Sequence, residues 1–70
     1  MSTNSAMKSE ARAFFSRALA KVESKSIREW ATTAHNKPLW LKIAEEAVRR
    51  EGTPCPERFA AYMVCVAIGA

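Results

Sequence analysis

The chain has 70 residues, 49% of them apolar and 26% charged, with two glycines, two cysteines and a net charge of +4. Such a length makes one domain at the small end of what folds without staples, and two cysteines exclude a disulfide-rich scaffold. The charge is graded: residues 1–26 carry +3, residues 27–52 carry +1 and residues 53–70 are neutral, a mild basicity that suits an acidic surface or simply a solvated one.

Residues 1–4 are polar and are expected to form a flexible tail, leaving a single helical domain over 5–70. The first helix is predicted from Ser5 to Ser24. Met7, Ala11, Phe14, Phe15, Ala18, Leu19 and Val22 recur on one side at helical spacing, and small residues (Ser9, Ala13, Ser16, Ala20, Ser24) fill the opposite side. Lys8, Arg12, Arg17 and Lys21 are a candidate basic surface, although they do not line up on one face. No secretory signal is visible. The Arg12–Lys21 stretch has something of an organellar presequence in its composition, but Glu10 and Glu23 interrupt it and an ordinary amphipathic helix accounts for the same residues.

A capping box, Ser26 with Glu29, is expected to open the second helix, whose apolar stripe is Ile27, Trp30, Ala31 and Ala34. His35-Asn36 before Lys37-Pro38 should stop it, because proline disfavours helix in the residue ahead of it. The third helix is expected to begin at about Pro38 and end at Gly52. Its apolar face is Leu39, Trp40, Ile43, Ala44, Ala47 and Val48. Its polar face carries the spacings Glu45–Arg49 and Glu46–Arg50, which suit ion pairs.

Thr53 is the expected N-cap of a fourth helix with Pro54 and Pro56 in its first turn. The stretch from Phe59 to Ala70 has no polar face. Val64–Ile68 is rich in β-branched residues, yet helix is favoured over strand because no partner strand exists. A helix apolar all round must be buried all round, and 70 residues supply little to cover it. A homodimer is therefore expected, with Phe59, Met63, Val64 and Ile68 at its interface. Twelve residues reach about 18 Å, too short for a bilayer core of about 30 Å, so no membrane span is expected.

The inventory for chemistry is thin. His35 is the only histidine, at a helix end where an imidazolium suits the dipole. Cys55 falls in a first turn, where a thiol can be activated, but Cys-x9-Cys is not a redox spacing. His35, Cys55 and Cys65 lack zinc-site spacing, and Cys65 is expected among apolar neighbours. No catalytic residues, metal or cofactor are expected, and the protein is not expected to be an enzyme.

Ser26 to Arg50 reads helix, turn, helix, but the start of the third helix is apolar and Glu45-Glu46 would repel phosphate, which argues against sequence-specific DNA reading. Leu39-Trp40-Leu41 cannot all enter one core, since three consecutive helical residues fan over about 200°. Trp40 and Leu41, flanked by Lys37 and Lys42, are the expected partner-binding patch. The fold expected is all-α, a bundle of three to four short helices, dimeric. The function expected is a small non-enzymatic cytoplasmic interaction protein, an adaptor or inhibitor that binds a larger protein, by analogy of size with accessory proteins of phages and mobile elements. A basic helical DNA-binding regulator and a structural subunit of a larger assembly are the alternatives.

Overall fold

Helices α1 (Thr3–Lys21), α2 (Lys25–Ala31), α3 (Lys37–Glu51) and α4 (Pro56–Gly69) follow one another through short connections in a computed structural model, which describes residues 3–69 and side chains from residue 6. The described chain is all-helical, and residues 64–68 are helix. Thr3 and Asn4, expected in the tail, belong to α1; Met1 and Ser2 lie outside the described residues.

α1 is the central element: it packs against both α3 and α4, and α2 lies on α4. Ala11, Phe14, Phe15, Ala18 and Val22 are buried along its inner side, as their spacing requires, and Ser9, Ala13, Ser16 and Ala20 are exposed opposite. From α3 come Trp40, Ala44 and Val48, and from α4 come Phe59, Ala60 and Met63. The alanines let backbones approach α1. α3 and α4 themselves come close at few points, and aromatic rings fill the space between them. Phe14 meets Phe59 edge-on at 4.9 Å, and Trp40 meets Phe59 at 5.7 Å, Trp30 at 5.9 Å and Tyr62 at 5.8 Å, all steeply inclined. Edge-to-face pairs of this kind add about 0.5–1.5 kcal/mol each beyond the area they bury. A radius of gyration of 11.7 Å is close to the roughly 11 Å of a compact chain this long.

The helix ends differ from their sequence expectation for local chemical reasons. Ser24, not Ser26, caps α2: its hydroxyl accepts from the Ile27 amide at 3.3 Å. Glu29 therefore closes no capping box and instead lies 3.9 Å from Lys25. Arg28 secures this α1–α2 corner by donating to the Val22 carbonyl and, at 3.1 Å, to that of Glu23. α2 ends at Ala31 rather than near His35, because hydroxyls take over its last carbonyls. Thr32 Oγ1 donates to Arg28 at 2.9 Å, and Thr33 Oγ1 donates to Trp30 at 3.1 Å. α4 begins at Pro56, with the Phe59 amide bonded to the Cys55 carbonyl at 3.1 Å. Cys55 precedes a proline, which disfavours the helical region there, so the helix expected to follow an N-cap at Thr53 starts two residues later.

Gly52 ends α3 as expected, at φ 77° and ψ −67°, with the Thr53 amide bonded to the Glu51 carbonyl at 2.8 Å. That is a γ-turn of the strained hand, which a side chain disfavours. A Cβ built there meets nothing within 4 Å. Gly52→Ala is therefore expected to cost about 1–3 kcal/mol through backbone strain alone. Thermal denaturation reads it as a fall in Tm of several degrees; an unchanged Tm would mean the turn relaxes freely.

On the surface of α3, Glu46 rather than Glu45 collects the arginines, pairing with Arg49 and, at 2.9 Å, with Arg50. Arg58 reaches back from α4 to Glu51 at 3.0 Å. No described helix is long and apolar enough to cross a membrane.

Candidate interaction surface

Because α3 and α4 stand apart, a groove of about 150 Å³ opens between them. Its floor is Trp40, 4% exposed, and its walls are Leu39 and Ile43 from α3, Tyr62 and Val66 from α4, and Trp30 with Asn36 from the α2–α3 corner. Leu39 is 55% exposed, Ile43 37% and Tyr62 54%, so three of the four large exposed hydrophobics converge here. The corner is tied down: Asn36 Nδ2 donates to the Trp30 carbonyl at 2.9 Å, and the Asn36 amide donates to Thr33 Oγ1 at 3.2 Å. These bonds hold Trp30 against Trp40 before any partner arrives.

The placement corrects the expected patch. Trp40 is core, ringed by Trp30, Phe59 and Tyr62, and shows only a small edge at the groove floor. Leu41 is partly buried against the core, while Leu39 is outside. Lys37 and Lys42 are exposed; Lys42 stands about 200° round the helix from Trp40 but only about 60° from Leu39, at the outer edge of the groove's α3 wall. The ridge of Leu39 and Ile43 continues into the Glu46–Arg50 pair, and Arg58 beside Tyr62 is paired with Glu51. These two pairs are neutral, whereas Lys37 and Lys42 are in no ion pair among the described residues.

No protein-family model matches this chain, nor does any curated protein or solved structure. Its own geometry is what speaks to function.

The expected dimer face also divides. Phe59 and Met63 are buried inside the chain, Met63 completely, because they point at α1. Val64 is partly buried, and Ile68 is 76% exposed. Cys65, expected in apolar packing, is exposed on the outer side of α4. α1 and α2 leave one side of α4 uncovered, so the outward row Ala61, Tyr62, Cys65, Ile68 and Gly69 meets solvent.

A second, broader hollow of about 460 Å³ lies on the other flank of α4, between it and the α1–α2 corner. Val22, Ile27, Ala60, Ala61 and Val64 form its apolar wall, and Lys21 bonded to Glu57 at 3.3 Å lies at its rim. Glu57 also accepts from the Cys55 thiol at 3.3 Å. That bond, then its own backbone amide, then Lys21, hold the Glu57 carboxyl below its ordinary pKa.

Of the candidate basic surface, Lys8, Arg12, Arg17 and Lys21 are all exposed. Helical periodicity sets Lys8 and Arg12 on one edge of α1 and Arg17 and Lys21 on the other, so they form no single stripe. His35 is exposed in the turn after α2. Among the described residues no three His, Cys, Asp or Glu side chains gather as a metal site would need.

Proposed function

We propose that this chain is a small interaction protein, an adaptor or inhibitor, which receives an apolar segment of a larger protein in the groove between α3 and α4. The observation that carries this reading is the convergence of exposed Leu39, Ile43 and Tyr62 over a pre-set aromatic floor. Rigid walls lose little entropy on docking, and an aromatic-lined slot is where binding hot spots concentrate. Because the lining is apolar and aromatic, the matching segment is apolar. The protein works as a dimer, and its free thiols, Cys55 and Cys65, suit a reducing compartment such as the cytoplasm.

Photo-crosslinking in the native host tests the groove. A photoreactive residue at position 39 or 43 is expected to capture the same partner, and one at Ser16, on the exposed side of α1, is not. With that partner purified, Leu39→Ala should weaken binding by about 1–2 kcal/mol at unchanged Tm, the scale of a hot spot. Equal capture from Ser16, or an unaltered affinity of the Leu39 variant, overturns the reading.

A further inference from the structure

The outward face of α4 adjoins the groove, sharing Tyr62 with it. Beyond Arg58 it carries no charge, and its residues alternate in size: Ala61, Cys65 and Gly69 make a small row at i, i+4, i+8, with Tyr62 on one side of it and Ile68 on the other. We propose that a second copy of this chain covers this face, its α4 antiparallel to the first, with the two-fold axis passing at Cys65. The proposal deepens the dimeric reading above and does not depend on what occupies the groove.

Two features select a second copy, and a third sets how tightly it is held. The first is shape. A two-fold axis perpendicular to an antiparallel helix pair sets each residue against one on the same flank, equally far beyond the axis. Ile68, about 4.5 Å from Cys65 along the helix, then meets the second copy's Ala61, about 6 Å away on the opposite side. Ala61 and Val64 wall the broad hollow beside α4, so Ile68 has a recess to enter. On the other flank Tyr62 meets the second copy's Gly69 by the same rule. Large faces small at both places, and the small row permits close approach.

The second feature is charge. α4 has no basic residue in its last turn, so its terminal carbonyls carry an uncompensated partial negative charge. The antiparallel arrangement brings the second copy's Arg58, together with the Glu51 paired to it, toward that end. An acidic partner would find no cation on this face beyond Arg58, and a basic one no anion beyond Glu57.

The third is area. α4 has 14 residues and is about 21 Å long, so the face is smaller than the roughly 800 Å² per partner of a stable interface. A weak self-association follows.

Sedimentation equilibrium of the reduced protein, from about 5 to about 500 μM to span what a small interface needs, is expected to show a monomer–dimer equilibrium. Ile68→Asp should weaken it at least about tenfold without lowering the Tm of the monomer by more than a few degrees, because Ile68 is 76% exposed there. Leu39→Asp should leave it unchanged.

The register is read with Cys55→Ser, which leaves Cys65 as the only thiol. At an interaxial distance of about 10 Å, facing Cα atoms on cylinders of about 2.3 Å radius lie about 5.4 Å apart, within disulfide reach. Oxidised glutathione should convert two Cys65 thiols into one interchain S–S bond and release two molecules of reduced glutathione. Cys65→Ser, keeping Cys55, should give no covalent dimer. A protein monomeric throughout, a dimer indifferent to Ile68→Asp, or a dimer whose Cys65 takes up glutathione without crosslinking overturns the proposal. If self-association fails while positions 39 and 43 still capture a partner, the groove stands and the α4 dimer falls; the converse result sinks the groove alone.

Discussion

Trp40→Ala is expected to leave most of the chain unfolded at 25 °C. Trp40 sits where rings from two other helices meet: Trp30 of α2 at 5.9 Å, and Phe59 and Tyr62 of α4 at 5.7 and 5.8 Å, with Phe59 passing the contact on to Phe14 of α1. It is 4% exposed and fills the space that α3 and α4 leave between them. Truncating a buried tryptophan to alanine costs about 3–5 kcal/mol, and a core of this size rarely supplies more than about 3–5 kcal/mol in total. The cavity has little prospect of collapsing, because closing it would require α3 and α4 to slide across α1, against which both are packed. Urea denaturation followed by circular dichroism checks this. A cooperative transition with a midpoint close to that of the parent would show that Trp40 is dispensable to the core. The contrast is Leu39→Ala one residue away, expected to cost less than about 1 kcal/mol because Leu39 is already 55% exposed.

Met63→Asp and Ile68→Asp are expected to behave oppositely, although sequence alone puts both residues on one interface. Met63 is completely buried against α1, and no buried polar side chain is present among the described residues to meet a carboxylate. An aspartate there must either hold an uncompensated charge or protonate, and either route should cost at least about 3–5 kcal/mol. That exceeds what the domain has to spare, so the variant should be unfolded at neutral pH. The penalty should lessen in mildly acid buffer, where the unfolded chain's carboxyl also begins to protonate. Ile68→Asp instead places the carboxylate in water. Its cost is the unfavourable meeting of a negative charge with the last turn of α4, about 0.3–1 kcal/mol. Denaturant titrations of both variants at low micromolar concentration, where self-association does not contribute, separate them. Similar midpoints would mean that α4 is not seated on α1 through Met63.

These two contrasts explain the division of labour in the small chain. The inner row of α4 and the ring of Trp40 hold the fold, and the outer row with the Leu39–Ile43 ridge is left for partners. Nothing in a single helix needs to serve both tasks at one residue except Tyr62, which packs on Trp40 and is still 54% exposed. Substitutions at Tyr62 will therefore mix stability with binding, and Leu39, Ile43 and Ile68 are the cleaner probes.

Much of the architecture is legible in the residues alone. The side of α1 running from Met7 to Val22 is set by spacing, the end of α3 by Gly52, its start by Pro38, and the helical state of residues 64–68 by the want of a partner strand. Local preferences decide such features, so a sequence carries them without knowing its neighbours. The caps are less legible, because several candidates compete. Ser24 and Ser26 are both good N-caps, and the choice went to the one whose corner Arg28 could hold through the Val22 and Glu23 carbonyls. The candidate surface depends on tertiary structure most of all. Leu39 and Leu41 lie about 100° to either side of Trp40, and the sequence expectation, which set Leu39 on the apolar face and Leu41 in the exposed patch, is reversed by the structure. Which of them faces water is decided by the seating of α3 on α1, which tucks Leu41 against the core and turns Leu39 toward the gap before α4. The same holds for α4: its composition announces that every side is apolar, but only packing against α1 determines that Phe59 and Met63 go inward and Cys65 and Ile68 stay out. Hydrophobicity states how much surface a helix would bury, and the positions of the other helices determine which part of it finds cover.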